Sequence, residues 1–346
     1  MKNSSEVDWI LILDIVIMVF ISIVVLRSLS PNLFPLYFVY LLLGLITFYI
    51  FSKIDFEILL LFSPHLYILS ILFLIAPLII GQVTRGAIRW IPLGSLTIQP
   101  SELVRPFLLL FFANYLNVRR LDSLRLLKSF FYLLAPFTLI LVQPSLGVAI
   151  LTAVGFIGVI LASRIEKKYF LMAGGVLAAL APLLWLVLAP YQKDRILSFA
   201  NPGHDPYGIG YNTIQSVISV GSGKFLGRGL GEGVQTQLAF LPEKHSDFIF
   251  AAVAEELGFL GAAMVIAGLF TLFWRIILVI EKAGSPSGRG FASGVFLVLF
   301  VEAFIHIGMN MGLLPITGVP LPLVSAGGSA FLGTVISLAI SMKVRE

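Results

Sequence analysis

FLPEKHSDFIFAAVAEELGFLG, residues 240–261, decides how this chain is read. A Lys, a His, a Ser and an Asp stand immediately before a long apolar run, and the run then takes in Glu255 and Glu256. Acids inside an apolar segment are costly, so they mark either a partner or a purpose. The rest of the chain settles which solvent the run faces. Of its 346 residues 58% are hydrophobic and only 12% charged, with a mean hydropathy of +1.01. Soluble domains carry roughly a quarter charged residues. The composition therefore predicts an all-α, polytopic membrane protein folded as one integral membrane domain over residues 1–346.

Several classes are excluded at once. The chain has no cysteine, so disulfides, thiolate metal sites and thiol nucleophiles are absent. The net charge of +5 is spread over loops rather than gathered in one patch. That pattern suits loops facing anionic membrane lipid and not nucleic acid. HExxH, GxSxG and zinc-like clusters are missing, and there is neither an internal repeat nor a low-complexity tail. The opening MKNSSEVD is followed by an apolar run of spanning length without a cleavage site, which reads as a retained first helix.

A span needs about 20 mostly apolar residues. Working outward from the opening stretch, about ten candidates emerge: 9–27, 33–52, 65–82, 101–117, 128–143, 146–163, 169–190, 247–275, 290–309 and 321–341. The fifth and sixth are joined by a tight turn at Gln143-Pro144-Ser145. With the N-terminus inside, the inner loops hold fourteen basic residues, from Lys2 and Lys53 to Lys343 and Arg345. The short outer loops hold Arg27, Arg85 and Arg89. The positive-inside rule then puts both termini in the cytoplasm. The 82–100 loop and the long 191–246 loop, between spans seven and eight, face outward.

The 191–246 loop is longer than a connection requires, and its interspersed aromatics argue for a folded, functional segment. Its GSGKFLGRGLGEG stretch fails as a P-loop, needing Gly where Ile218 stands and Ser or Thr where Phe225 stands. It reads as hinge glycines, or as backbone approaching a diphosphate with Lys224 and Arg228 nearby. Asp247 stands where a helix N-cap would, and a cap is the plain reading. The alternative is a base or cation ligand. Glu102 with Arg105 (i,i+3) and Glu302 with His306 (i,i+4) read either as self-contained pairs or as the lining of one polar cavity. In GAIRWIPLGSLTIQPSE, residues 86–102, Trp90 reads as an interfacial anchor and Arg89 as a phosphate or lipid-headgroup contact. In NMGLLPITGVPLPLVSAGGSA, residues 310–330, three prolines and a Gly pair break helix regularity, which is tolerated at membrane depth only beside protein or a cavity.

These segments together resemble the SEDS family of bacterial envelope proteins (shape, elongation, division and sporulation) over nearly the whole chain. The resemblance rests on NMGLLPITGVPLPLVSAGGSA, on GAIRWIPLGSLTIQPSE, on QPSLG, and on DPYGIGYNTIQS running through to FLPEKHSDFIF. PYQKDRI followed by NPGHDPYG looks more like the elongation branch than the division branch. The resemblance implies a peptidoglycan glycosyltransferase that polymerises lipid II on the outer face of the bacterial cytoplasmic membrane. It also implies a class B penicillin-binding protein, a transpeptidase, as partner. The family's essential acid maps onto Asp247, its loop tryptophan onto Trp90, and its polar pair onto Glu102 and Arg105. Two positions depart from the pattern. Arg105 stands where Lys is expected in many relatives, and Ser145 stands where the QPxLG motif carries an acid. If that acid is a helix cap, Ser replaces it adequately.

The expected reaction needs a base, cationic stabilisation of a leaving diphosphate, and an apolar groove for the lipid. Asp247 is the candidate base, or the ligand of a divalent cation such as Mg²⁺. The candidate substrate contacts are Arg89, Trp90, Glu102, Arg105, Lys193, Arg195, Lys224, Arg228, Lys244 and His245. Glu255 and Glu256 would polarise or brace the cavity beneath. No organic cofactor is implied. The rival readings are a transporter of lipid-linked sugar, against which the polar motifs concentrate on one face, and a non-catalytic scaffold.

Overall fold

The computed structural model of the protein describes residues 8–84, 87–118, 122–163, 190–200, 208–238 and 240–345. The chain is mostly helical. In order it forms α1 (Trp9–Leu29), α2 (Phe34–Lys53), α3 (Phe56–Ile80), β1 (Gln82–Thr84), β2 (Ala87–Leu93), β3 (Leu96–Ile98), α4 (Pro100–Leu103) and α5 (Arg105–Asn117). There follow α6 (Ser123–Val142), α7 (Leu146–Ala162), α8 (Pro190–Ala200), α9 (Ile209–Ser222), α10 (Val234–Gln237), α11 (Ile249–Glu281), α12 (Pro286–Asn310) and α13 (Gly328–Lys343). Among the described residues six segments are long and apolar enough to cross a bilayer, and α7 and α13 are shorter apolar helices. This is a multi-pass membrane protein. The expected span at 169–190 lies outside the described residues save Pro190.

The spanning helices carry apolar side chains all round, so burial is decided by spacing rather than polarity. α1 buries Leu11, Met18, Ile21, Val25 and Leu29 at helical spacing and turns Trp9, Leu13, Ile17 and Phe20 outward. Local chemistry sets the helix ends. Asp8 accepts the Leu11 amide at 3.1 Å, and Asp122 accepts that of Arg125 at 2.7 Å. Ser285 accepts that of Gly288 at 3.0 Å, with Pro286 in the first turn. α12 packs on α7, α11 and α5, α13 packs on α2, and α1 packs on α11. The α7–α12 contact is close because both sides are small. A Cβ on Gly158 would stand 2.7 Å from the Ser293 carbonyl and 2.8 Å from the Gly294 Cα.

Four departures from the sequence reading matter for the site. First, the chain is not purely α-helical. β1, β2 and β3 form a three-stranded antiparallel sheet in that order, with Ile91 opposite Ile98 and Leu93 opposite Leu96. Gly94, at φ +65°, makes the two-residue turn that such a hairpin requires. Second, the span expected at 101–117 is broken at Val104 into α4 and α5. Pro106 is the cause, since it lacks an N–H and crowds the carbonyl four residues back, that of Glu102. Third, the last span begins only at Gly328, and residues 312–327 run as turns and coil, as three prolines dictate. Fourth, α11 is interrupted at Gly258, which has φ 68° and ψ −161°.

Candidate active site

Three of these features, the hairpin, the break after α4 and the irregular stretch before α13, border one cavity of about 500 Å³; the break in α11 does not. Its walls come from α1 and α2, from the hairpin, from the start of α7, from α8, and from the irregular stretch before α13. Of the residues singled out in the sequence, Arg89, Trp90, Glu102, Arg195, His245 and Asp247 all line it. The hairpin presents Arg89 and Trp90 side by side, the guanidinium 5.8 Å from the indole centroid. Trp90 is thus part of the cavity wall rather than a simple bilayer anchor. Leu26, Leu33, Phe34 and Leu36 give the cavity an apolar side.

Asp247 is not a helix cap. α11 begins at Ile249 with Phe248 in the cap position and no side-chain cap bond. A turn holds Asp247, its amide donating to the Glu243 carbonyl at 3.0 Å. Its carboxylate faces Gly318, where a Cβ would lie 3.5 Å from Oδ2. Enclosure by protein pushes the Asp247 pKa up from the ordinary carboxylate range, and the charge of Glu243 adds to the rise. Arg195, Arg89 and a hydrogen bond from Ser246 pull the other way without cancelling it. A carboxylate so placed is a better proton acceptor than a free one.

Other candidates fall elsewhere. Arg105 lies behind the cavity, paired with Glu102 and, at 3.2 Å, with Glu302. All three side chains are buried. This corrects the expected Glu302–His306 pair, since the His306 ring bonds through Nδ1 to the Val319 carbonyl at 2.8 Å. Lys193, Lys224, Arg228 and Lys244 do not line the cavity. Lys244 donates to the Thr236 carbonyl. Burial lowers its pKa, against the opposing pull of Glu256 and Glu255.

The glycine-rich stretch packs against α11. Gly223 lies against the Ala254 carbonyl, and Gly227 lies against Glu256 and Gly258. The Arg228 and Gly229 amides donate to the Glu255 and Glu256 carbonyls at 2.9 and 3.1 Å. The glycines therefore let this strand of chain close on the break in α11. Glu255 and Glu256 brace that same segment instead of lining the cavity. Glu255 accepts the Gln235 and Thr236 amides at 2.9 and 3.0 Å and the Ser219 hydroxyl at 3.2 Å. Glu256 accepts from Ser28 at 2.8 Å, the Gln237 amide group at 3.1 Å and the Gly231 N–H at 3.3 Å.

Ser145 occupies the cap position of α7 without bonding a helix amide. Its hydroxyl lies 3.5 Å from Gln99 Nε2, on the cavity wall. The expectation that Ser145 serves as a helix cap is corrected, because it holds the cap position without a side-chain cap bond. Among the described residues no group of three or more His, Cys, Asp or Glu side chains comes together. A hard divalent ion that keeps several waters can be held by one or two carboxylates plus substrate phosphates. Asp247 fits that mode, with no all-protein cage required.

A family model described as "Cell cycle protein", covering FtsW, RodA and SpoVE, matches residues 7–346. The chain belongs to this family, the SEDS proteins. It is 39% identical over 289 residues to "Peptidoglycan glycosyltransferase MrdB" of Escherichia coli (strain K12), covering 82% of this chain and 77% of that one. It is 36% identical over 317 residues to "Probable peptidoglycan glycosyltransferase FtsW" of Nitrosococcus halophilus, covering 88% and 80%. Its fold is similar to a chain from "Structural coordination of polymerization and crosslinking by a peptidoglycan synthase complex", with a TM-score of 0.85 and 29% identity over 98% and 97% of the two chains. It is also similar to the Rod shape determining protein RodA of Thermus thermophilus, with a TM-score of 0.73 and 26% identity over 98% and 96%. The MrdB and RodA matches agree with the elongation-branch resemblance of this SEDS chain.

Proposed function

We propose that this SEDS protein is a peptidoglycan glycosyltransferase that polymerises lipid II into glycan strands during cell elongation. The observation that carries the reading is one cavity holding a carboxylate, two arginines and an apolar side, in a chain of this family. In the proposed step Asp247 takes the proton of an acceptor sugar hydroxyl. The oxygen forms a bond to the anomeric carbon of the donor, and the bond from that carbon to undecaprenyl diphosphate breaks. Arg89 and Arg195 stabilise the charge that develops on the leaving diphosphate. Trp90 and His245 shape the sugar site, Glu102 helps hold the wall, and the apolar side receives the lipid. Base and leaving group act from opposite sides, as in inverting glycosidases. In the alternative role Asp247 would hold a divalent cation such as Mg²⁺ in place of acting as base, and the ion would supply charge neutralisation for the diphosphate.

The remaining features follow the same reading. On this reading the chain has about ten spans in one integral domain, both termini in the cytoplasm, and the 191–246 segment and the cavity at the outer face of the cytoplasmic membrane. Basic inner loops meet anionic membrane lipid, and a class B penicillin-binding protein crosslinks the product. The test is polymerisation of purified lipid II by wild type and Asp247→Asn, each with and without the partner and Mg²⁺. Polymer from wild type alone supports the assignment. A fully active Asp247→Asn protein removes Asp247 from the chemistry, and an inactive wild type under every condition removes the polymerase reading.

A further inference from the structure

A helix leaves its first amides without intrahelical partners, and the preceding residue commonly supplies the acceptor. α11 begins beside Asp247, a favoured capping residue, yet the acceptor comes from the far end of another helix. Asn310, the last residue of α12, is fully buried. Its Oδ1 accepts the Ala251 amide at 3.0 Å. Its Nδ2 donates to the backbone carbonyl of Asp247 at 3.0 Å and to that of His306 at 2.8 Å. Its own carbonyl accepts the Ser216 hydroxyl at 2.8 Å. Turning the amide over would set a donor against an N–H and an oxygen against two carbonyls, so the network fixes its orientation.

The two neighbouring carbonyls are held as well. Ser325 Oγ donates to the Ser246 carbonyl at 2.8 Å while accepting the Leu321 amide at 2.8 Å. The Ala326 amide donates to the His245 carbonyl at 3.0 Å. Three consecutive carbonyls, 245 to 247, are thus each bound by a donor from residues 310–326. The backbone under the candidate base is pinned at every residue while its side chain is left to the cavity.

We propose that Asn310 is a positioning residue for glycosyl transfer: it caps α11 in place of Asp247 and clasps the Asp247 backbone, so that the carboxylate is spared from capping and kept at the cavity. The inference rests on the reading of Asp247 as the reacting carboxylate. It predicts a particular kinetic signature. Loss of the clasp moves the carboxylate without altering the arginines or the lipid groove, so turnover falls and substrate binding does not. A misplacement of about 1 Å costs on the order of 10²-fold in rate.

The experiment uses the full-length protein in lipid with its partner and measures kcat and KM for lipid II in wild type, Asn310→Ala, Asn310→Asp, Asp247→Asn and the double variant Asp247→Asn/Asn310→Ala. Asn310→Asp keeps an acceptor for the Ala251 amide and hence the helix end, but loses the donor to Asp247. It therefore decides the matter if Asn310→Ala fails to fold. The expected result is a fall in kcat on the order of 10²-fold, with KM within about twofold. Hydrogen exchange at residues 247–251 should be faster in Asn310→Ala, and the double variant no slower than Asp247→Asn alone. A folded Asn310 variant with wild-type kcat overturns the proposal, as does a loss expressed in KM or a double variant slower than the single. If Asp247→Asn is itself as active as wild type, the reading of Asp247 fails first and takes the clasp's function with it.

Discussion

Asp247 and the Glu255–Glu256 pair stand within ten residues of one another, on the same approach to the same helix, and the fold treats them in opposite ways. Each glutamate side chain accepts three hydrogen bonds, and together they tie residues 231–237, Ser219 and Ser28 to α11. Asp247 gives its carboxylate to neither a helix amide nor that packing and keeps it at a cavity with Arg89 and Arg195. The lesson is that an acid beside an apolar run carries no role in its identity. The role is set by whether donors from elsewhere, backbone or side chain, have already claimed the carboxylate.

The sharpest way to break that contrast is Asp247→Asn, which keeps the shape but cannot take a proton. Polymerisation should drop by about 10²- to 10⁴-fold, the range of general-base contributions, while thermal unfolding in detergent stays close to wild type. The pH profile follows from the same group. Asp247 must be ionised to act, and its raised pKa puts the acid limb of kcat/KM above the ordinary carboxylate range, with activity falling as pH falls through it. A profile flat through that region breaks the assignment.

The next largest effect belongs to Arg105. Arg105→Leu would leave Glu102 and Glu302 buried without their shared cation. The cost in stability is about 3–5 kcal/mol, read as a lower unfolding temperature and poor recovery of folded protein. Glu255→Gln comes third. The amide keeps one acceptor oxygen for three donors, so stability should fall by about 1–3 kcal/mol and protease sensitivity between residues 223 and 238 should rise. Activity per folded molecule should hold. If instead this variant folds normally and loses turnover, the two kinds of acid are not distinct after all. The smallest effects are expected for Lys224→Ala and Arg228→Ala, whose side chains lie away from the cavity. A change of no more than about twofold in KM for lipid II is predicted, as for ordinary surface positions.

The membrane class and most spans were legible because hydropathy acts over whole segments and needs no tertiary detail. The sheet was not, since β1 and β3 are three residues each and their pairing is a property of the hairpin. Pro106 was visible, yet a run read only for apolarity hid the break it makes at Val104. Asp247 could be found from its motif, whereas its freedom from capping depends on Asn310, 59 residues away from the amide it satisfies. The i,i+4 spacing of Glu302 and His306 suggested a pair, but a guanidinium 197 residues distant in sequence took the carboxylate instead. Asp14, a buried carboxylate in α1 near Gly268, was passed over altogether, hidden within a run of otherwise apolar residues.

The break in α11 has a consequence for the lipid around the protein. Before Gly258 the helix is almost entirely enclosed, whereas beyond it Phe259, Met264, Phe270 and Trp274 are exposed. The stretch from residue 259 to Glu281 rises about 34 Å at 1.5 Å per residue, close to the thickness of a hydrocarbon core of about 30 Å. If the cavity stands at the outer face, as proposed, this stretch is the part of α11 that answers to bilayer thickness. The enclosed turns above it stand clear, locked to Gly227. Lengthening or shortening the acyl chains would load that glycine joint, eleven residues along the chain from Asp247. Turnover should then peak in membranes of matched thickness, which makes the acyl chains themselves a variable of catalysis.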